Sequence, residues 1–495
     1  MFSGSFVLPG SFNPPVLPAP NPSAAASVPA AGVFLDSLAY IADRRNATFA
    51  ETTTRTGQAV GVSFWLADPP AVSHLCIHCP GMKTTDLLHE PVVVCAGKDV
   101  AVFHIAYTYG ARPRETRRDR GAVDLDYFVY RAHAGKPSLD LLPNPKPLFF
   151  ARCELGFLQP GGGEDFLMAA VRPRRAQLQY DLHVFSSKTN AWASKLVMLQ
   201  PPSPRYETEF LVHETNKVIA LGGGTLGWVD LRRGVMLCDV LAGDPVLRYI
   251  QFPDPMAGNA HQFDLDLPAR PLRDVVYANG FIRLVEIEER RRLIAPAKPS
   301  DNDPSNGATT SDPGTEVKNT TRIRTSLPYI RDGWTAVTYN AKPSLDRWSK
   351  VCTACVSESS ILSALRHNHP ESSPSEAMEI AGPLWSVDAE DVFYLMGKAD
   401  LKDKNALAIA INVRKNMVEN VTSFSAERYW FFCLELHPFA LSKFVHVAPD
   451  TCKAAVDPQI QERDDSRKDS NNTTPHQQRL SDRNGSKYHP YARRY

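Results

Sequence analysis

Two cysteine pairs are the first residues whose spacing could do chemistry: Cys76-Ile-His-Cys79 and Cys352-Thr-Ala-Cys355. Thiolates are good zinc ligands, and Cys-x-x-Cys supplies half of a structural zinc site. A zinc ribbon joins its pairs within a few tens of residues, whereas these lie 276 apart (352 − 76). Each pair also falls in a strand-like run, where residues i and i+3 face opposite sides. Both read as core or turn cysteines. His367 and His369, followed by Pro370, suggest a metal-binding pair, but Ser359–Ser375 reads as a polar loop with solvent-facing histidines. Gly161-Gly-Gly163 and Gly222-Gly-Gly224 could cradle phosphate only with a following Lys-Ser/Thr on a helix. Glu164-Asp165 and Thr225-Leu226 follow instead, so both runs read as turns between blades. There is no Gly-x-Ser-x-Gly elbow and no His-Glu-x-x-His. Asp230 and Asp239 read as acceptors for turn amides rather than an acid/base pair. No catalytic residue, cofactor site or metal ligand is expected, and the chain reads as a non-enzyme.

Arginine is the other chemical signal. Arg112, Arg114, Arg117, Arg118 and Arg120 form one basic loop, Arg172, Arg174 and Arg175 a second, and Arg290–Arg292 a third. Gathered on one face, they would make an electrostatic patch for RNA or an acidic peptide. Glu115, Asp119 and Glu286–Glu289 sit among them, and no aromatic-interleaved platform accompanies them. The favoured reading is solvated loop charge, with nucleic acid not expected as a partner.

The elements that would position these loops are strands. Gly227–Pro255 holds three apolar runs, Trp228–Leu231, Val235–Leu241 and Val246–Phe252, separated by Arg232-Arg233-Gly234 and Ala242-Gly243-Asp244-Pro245. Turn residues between Val-, Leu-, Ile- and aromatic-rich runs predict a three-stranded antiparallel meander. Its middle run is apolar on both faces, which predicts a sheet covered on both sides. A strand–turn–strand outline recurs from Tyr127, Leu182 and Trp228, 55 and 46 residues apart, and weakly over Ile409–Val413 and Met417–Phe424. A unit of about 50 residues is the kelch propeller period, although the repeat is degenerate and lacks clean kelch Gly-Gly pairs at fixed offsets. The expected fold is all-β: an antiparallel β-propeller-like domain of six or seven degenerate kelch/F-box-associated-type blades.

Composition sets the rest of the frame. The 495 residues are 43% hydrophobic and 22% charged, as in a soluble globular protein. The net charge of +1 argues against global commitment to nucleic acid or anionic membrane. Nine cysteines, an odd number, fit buried thiols in a reducing compartment better than a disulfide framework. Residues 1–32 lack Lys, Arg, Asp and Glu and are broken by seven prolines, unlike a secretory signal or a transit peptide. No run reaches the length of a membrane span. The Asn-x-Ser/Thr sites at Asn46, Asn319 and Asn420 then read as chance matches. The expected organisation is a disordered Pro/Ala-rich segment at 1–32, the propeller-like domain at 33–448, a disordered insertion at 296–321 and a disordered polar tail at 449–495. An intracellular location, cytoplasmic or nuclear, is expected.

The central meander also carries a resemblance. Trp228-Val-Asp-Leu231, Gly234-Val-Met-Leu-Cys-Asp-Val-Leu241 and Asp244-Pro-Val-Leu-Arg-Tyr-Ile250 resemble the plant domain-of-unknown-function family 1618, expanded in grasses. Cys76–Gly81, Asp126–Tyr130, Trp334–Val337, Asp391–Leu395 and Ala440–Lys443 fit it too, so the likeness spans roughly Val33 to Val447. The family carries no established activity to transfer. Some relatives begin with an F-box, a helical module that recruits a ubiquitin-ligase scaffold, and no such segment is read here. The functional expectation is a monomeric, non-catalytic scaffold that binds a protein partner through the loop face of a propeller. The alternatives are a nucleic-acid-binding propeller using the arginine loops and an enzyme or glycan-binding propeller.

Overall fold

The computed structural model describes residues 7–17, 32–69, 71–108, 124–133, 136–145, 150–176, 178–200, 213–265, 267–293, 329–345, 347–368, 378–386, 389–398, 403–428 and 435–437. The chain opens with β1 (Val33–Leu35), β2 (Tyr40–Ile41), β3 (Ala50–Thr53), β4 (Ala59–Trp65) and β5 (Val72–His78). β3, β4 and β5 pair antiparallel, while β1 and β2 lie parallel to β5. Four-stranded antiparallel units follow, each pairing in chain order. The first comprises β6 (Val92–Ala96), β7 (Val100–Tyr107), β8 (Asp124–Arg131) and β9 (Ser138–Leu142). The second comprises β10 (Gly156–Leu158), β11 (Leu167–Pro173), β12 (Gln179–Ser186) and β13 (Ala191–Gln200). The third comprises β14 (Lys217–Gly222), β15 (Thr225–Asp230), β16 (Gly234–Asp239) and β17 (Leu247–Gln251). The fourth comprises β18 (Arg273–Ala278), β19 (Phe281–Leu293), β20 (Tyr329–Ala341) and β21 (Trp348–Val356). The fifth comprises β22 (Glu379–Trp385), β23 (Val392–Lys398), β24 (Asn405–Asn412) and β25 (Met417–Ser425). Finally β26 (Glu435–His437) returns to the opening sheet and pairs antiparallel with β1.

The fold is all-β and propeller-like, because each sheet buries both of its faces against its neighbours in sequence. The middle strand of the central meander shows how. Val235 and Leu237 of β16 pack with Val275, Ile282 and Leu284 of the fourth unit. Met236 and Cys238, on the other face, pack with Ala169, Val171 and Leu182 of the second. Equivalent apolar layers join the other consecutive sheets. The last layer sets Phe34 of β1 against Leu384, Met396, Ala408 and Phe424 of the fifth unit, so the succession closes on itself. A strand apolar on both faces is what such stacking needs, and the sequence shows that property at 235–240.

First strands touch in turn, β6 to β10, β10 to β14, β14 to β18, β18 to β22 and β22 to β26. Gly382 N donates to Pro271 O at 2.9 Å, and Trp385 N donates to Asp274 Oδ2 at 3.0 Å. Both bonds join positions 111 apart (382 − 271; 385 − 274), so these neighbouring first strands run in the same direction. Asp274 also accepts Lys217 Nζ at 2.8 Å, and one carboxylate therefore links β14, β18 and β22.

Three differences from the sequence reading are informative. The recurring hairpins were placed one strand out of phase in the third unit: Tyr127 and Leu182 belong to third strands, β8 and β12, whereas Trp228 lies in the second strand, β15. Aligned by third strands, which begin at Asp124, Gln179 and Gly234, the spacing is 55 and 55. Ser359–Ser375 is not simply a loop, because Glu358–Asn368 is a helix. Its Ile361 and Leu365, one turn apart, are buried in the layer between the fourth and fifth units, and Ser357 Oγ accepts Ser360 N at 3.2 Å in the manner of an N-cap. Residues 7–17 depart from the disordered expectation for 1–32: Pro9–Phe12 is a 3-10 turn, and the buried Ser11 donates to Glu90 Oε1 at 2.6 Å. The 296–321 and 449–495 segments lie outside the described residues.

Ring closure is reinforced by a buried ion pair. Arg428 Nη2 bonds Asp36 Oδ2, its Nη1 donates to Ala39 O at 2.9 Å, and its guanidinium lies 3.5 Å from the Tyr40 ring centroid. Both side chains are buried, so removing one strands the other's charge. Arg428→Met should cost about 3–5 kcal/mol in urea unfolding, and adding Asp36→Leu should recover part of that loss. A single-variant cost below about 1 kcal/mol would show that the pair is not part of the closure.

Candidate functional site

In a chain-order meander, strand direction alternates, so the turn from second to third strand and the entry into the first strand share one end. All second-to-third turns therefore fall on one face of this ring. They carry the arginines singled out in the sequence. Arg172, Arg174 and Arg175 lie at the β11–β12 turn, and Arg290–Arg292 close β19 before its connection to β20. Arg112, Arg114, Arg117, Arg118 and Arg120, with Glu115 and Asp119, fall between β7 and β8 and lie outside the described residues. The β15–β16 turn adds Arg232 and Arg233, which the sequence reading treated only as a turn. An Arg-Arg dipeptide thus recurs at 117–118, 174–175, 232–233 and 291–292, at spacings of 57, 58 and 59. That period was the available signal, and it was hidden because the hairpins were counted from different strands.

Much of the described charge is compensated locally. Arg174 Nε meets Asp181 at 2.8 Å, Arg172 Nη2 meets Glu154 at 2.8 Å, Arg233 Nη1 meets Asp230 at 3.0 Å and Arg291 Nη2 meets Glu289 at 2.8 Å. Arg290 donates to Asp332 O at 3.0 Å, and Arg232 donates to Phe263 O. Arg175 and Arg292 are exposed and have no ion-pair or hydrogen-bond partner among the described residues. Hydrogen bonds from Arg291 and Arg331 hold the Glu289 carboxyl below its ordinary range, against its own partial burial. Glu286 is no loop charge: it is fully buried, bonded to Arg273 at 2.8 Å, and accepts Met256 N and Asn259 Nδ2. This clamp ties the 253–263 connection down beside the Arg232-Arg233 turn, where Arg273 also reaches Leu231 O.

The remaining candidates are structural in their contacts. Asp230 accepts Glu214 N at 3.0 Å and Arg232 N at 2.9 Å, and Asp239 accepts Leu241 N at 3.0 Å. Gly222, Gly223 and Gly224 all have positive φ (80°, 58° and 91°) and turn the chain from β14 into β15, within a unit rather than between units. Gly161, at φ 72°, does the same between β10 and β11. Cys76 lies in β5 with Cys79 just past its end, while Cys352 and Cys355 lie in β21 of the fourth unit, so the two pairs belong to different sheets. Burial pushes the Cys76, Cys79 and Cys238 thiols up to about 12, unfavourable for a thiolate nucleophile. Among the described residues no group of three or more His, Cys, Asp or Glu side chains is placed to hold a metal. His367 is exposed near the end of its helix, and His369 lies outside the described residues. No described helix is long and apolar enough to cross a membrane.

Residues 228–394 match the family model described as "Protein of unknown function (DUF1618)". This stretch, about a third of the chain, is similar to that family. The matched stretch runs from Trp228 in β15 to Tyr394 in β23, and the likenesses at Cys76–Gly81, Asp126–Tyr130 and Ala440–Lys443 lie outside it. No curated protein matches the chain. Among solved structures, this chain is similar to the polysaccharide lyase Uly1 at 10% identity and a TM-score of 0.25, over 86% of this chain and 89% of that one. It is also similar to an alpha-L-arabinanase of Penicillium chrysogenum complexed with arabinobiose, at 9% identity and a TM-score of 0.22, over 66% and 91%. TM-scores of this size carry neither a blade count nor an activity to this chain.

Two buried histidines make the fold sensitive to acid. His74 lies between Tyr40 and Trp65 with no hydrogen-bond partner on either ring nitrogen among the described residues, and burial, then Arg44 and Arg428, lower it to about 3. Burial, then His89 and Arg152, lower His104 to about 3 as well. Because the folded values lie below the unfolded 6.5, the unfolded chain binds more protons between them. Their stabilising contribution is complete above pH 6.5 and is lost as pH falls toward 3. Unfolding at pH 5 should show a loss of roughly 2 kcal/mol per histidine relative to pH 7. A His104→Gln variant should have a flatter acid limb, and an unchanged limb would place the acid sensitivity elsewhere.

Proposed function

We propose that this protein is a non-catalytic platform, a six-bladed propeller in which the opening sheet and β26 form the closing blade. It binds a protein partner through the face that carries the second-to-third turns. The observation that carries this reading is the division of labour between strands and turns. Apolar layers hold every sheet on both sides, while the β11–β12 turn exposes Arg174, Arg175 and Ala176 and Arg291 and Arg292 are exposed at the end of β19. Exposed turn positions such as these can change chemistry at little cost to the fold. The seven described cysteines are free, which supports a reducing, intracellular setting. The chain acts as a monomer in this reading.

The arginine turns favour a protein over a nucleic acid because several of their guanidiniums already face acids of their own unit, which lowers the net charge offered to phosphates. A steric test isolates the face from its charge. Ala176 is exposed in the β11–β12 turn, and Lys98 is exposed in the β6–β7 turn at the opposite end. In proximity labelling, neighbours captured by the wild type should be lost with Ala176→Trp and kept with Lys98→Trp. Capture indifferent to both substitutions, or lost equally with both, would overturn the platform reading.

A further inference from the structure

We infer that the arginine pairs at 174–175, 232–233 and 291–292 form one arc that receives an acidic peptide segment, a run of Asp and Glu side chains, of the partner protein. This rests on the platform reading and names the chemistry of what docks there. The pairs occupy the same topological position in three consecutive units, so a ligand crossing that face meets them in succession.

Within each pair the two arginines are not equivalent. One guanidinium is fixed by an acid of its own unit: Arg174 by Asp181, Arg233 by Asp230 and Arg291 by Glu289. At both ends of the arc the second, Arg175 or Arg292, is exposed with no partner among the described residues. The nearby acid, Asp181 or Glu289, is already engaged by the fixed neighbour, and a guanidinium presents a fork of donors that matches a carboxylate bidentately. Between the ends, Arg232 is bound to Phe263 O, and its pKa is lowered by burial and then by Arg233, so it adds positive field more than a free hand. The arc therefore offers two unsatisfied forks separated by a basic stretch. This suits spaced carboxylates on an extended segment. A nucleic-acid strand would want a continuous phosphate track, which arginines paired with acids of their own units do not offer.

Two probes and two pairs of variants test the inference. The probes are a short fluorescent Asp/Glu-rich peptide and a short single-stranded oligouridylate, titrated with the full chain at low and at physiological salt. The wild type should bind the peptide more tightly than the RNA. Arg175→Ala with Arg292→Ala should weaken peptide binding about tenfold, with unchanged unfolding midpoint, since both charges are exposed. Lys98→Ala with Lys188→Ala removes the same charge from exposed turns at the opposite end and should leave binding within about twofold. Equal loss from both pairs of variants, tighter binding of the RNA, or no binding of the peptide each overturns the acidic-segment inference. If cellular neighbours are lost with Ala176→Trp yet retained with Arg175→Ala and Arg292→Ala, the platform stands and only the acidic ligand falls.

Discussion

Everything in this molecule depends on joining the two ends of a long succession of sheets. A stack of sheets with two apolar faces each has no natural end, because the first and last would both expose a hydrophobic face to water. Here the chain solves that problem by sending β26 back to β1, so that Phe34 packs on the fifth unit and Val33 and Leu35 pack on the first. Arg428 secures the seam from the C-terminal side through Asp36 and Tyr40, and Ser11 meets both Arg428 and Glu90. A residue early in the sequence and one near position 430 thereby act as a single structural element.

Closure explains the behaviour of the polar core. Arg273–Glu286 and Arg428–Asp36 are buried charges that would be costly alone, and each sits where a connection must be held against the ring. Arg273 fixes the path from the third unit into the fourth, while Asp274 beside it bridges three first strands. With the sheets pinned at their entries, the second-to-third turns are free to carry whatever the partner requires.

The sequence disclosed these features unevenly. Strands of Val, Leu and aromatic residues were legible because alternation and turn residues act locally, and the two-sided apolarity of 235–240 announced a covered sheet. The repeat phase was not, because a hairpin looks alike whether it joins strands two and three or three and four. Only pairing distinguishes them. The helix at 358–368 was lost among Ser, His and Asn, since only Ile361 and Leu365 are fully buried, with Leu362 and Ala364 partly buried beside them. Partners separated by 392 positions, such as Asp36 and Arg428, leave no local trace. The arginine turns were visible as charge but not as a shared face, which follows from strand direction rather than composition.

The most direct measurement of ring closure is a disulfide across the seam. Val33 of β1 stands opposite His437 of β26 in an antiparallel register, where directly opposed Cβ atoms lie about 4.5–5.5 Å apart, near the span a disulfide tolerates. Val33→Cys with His437→Cys should oxidise readily to an intramolecular bridge. The bridge would close a loop of some 400 residues and raise the urea midpoint of unfolding relative to the reduced form. A pair that stays reduced under mild oxidation, or links only between molecules, would contradict the closed ring.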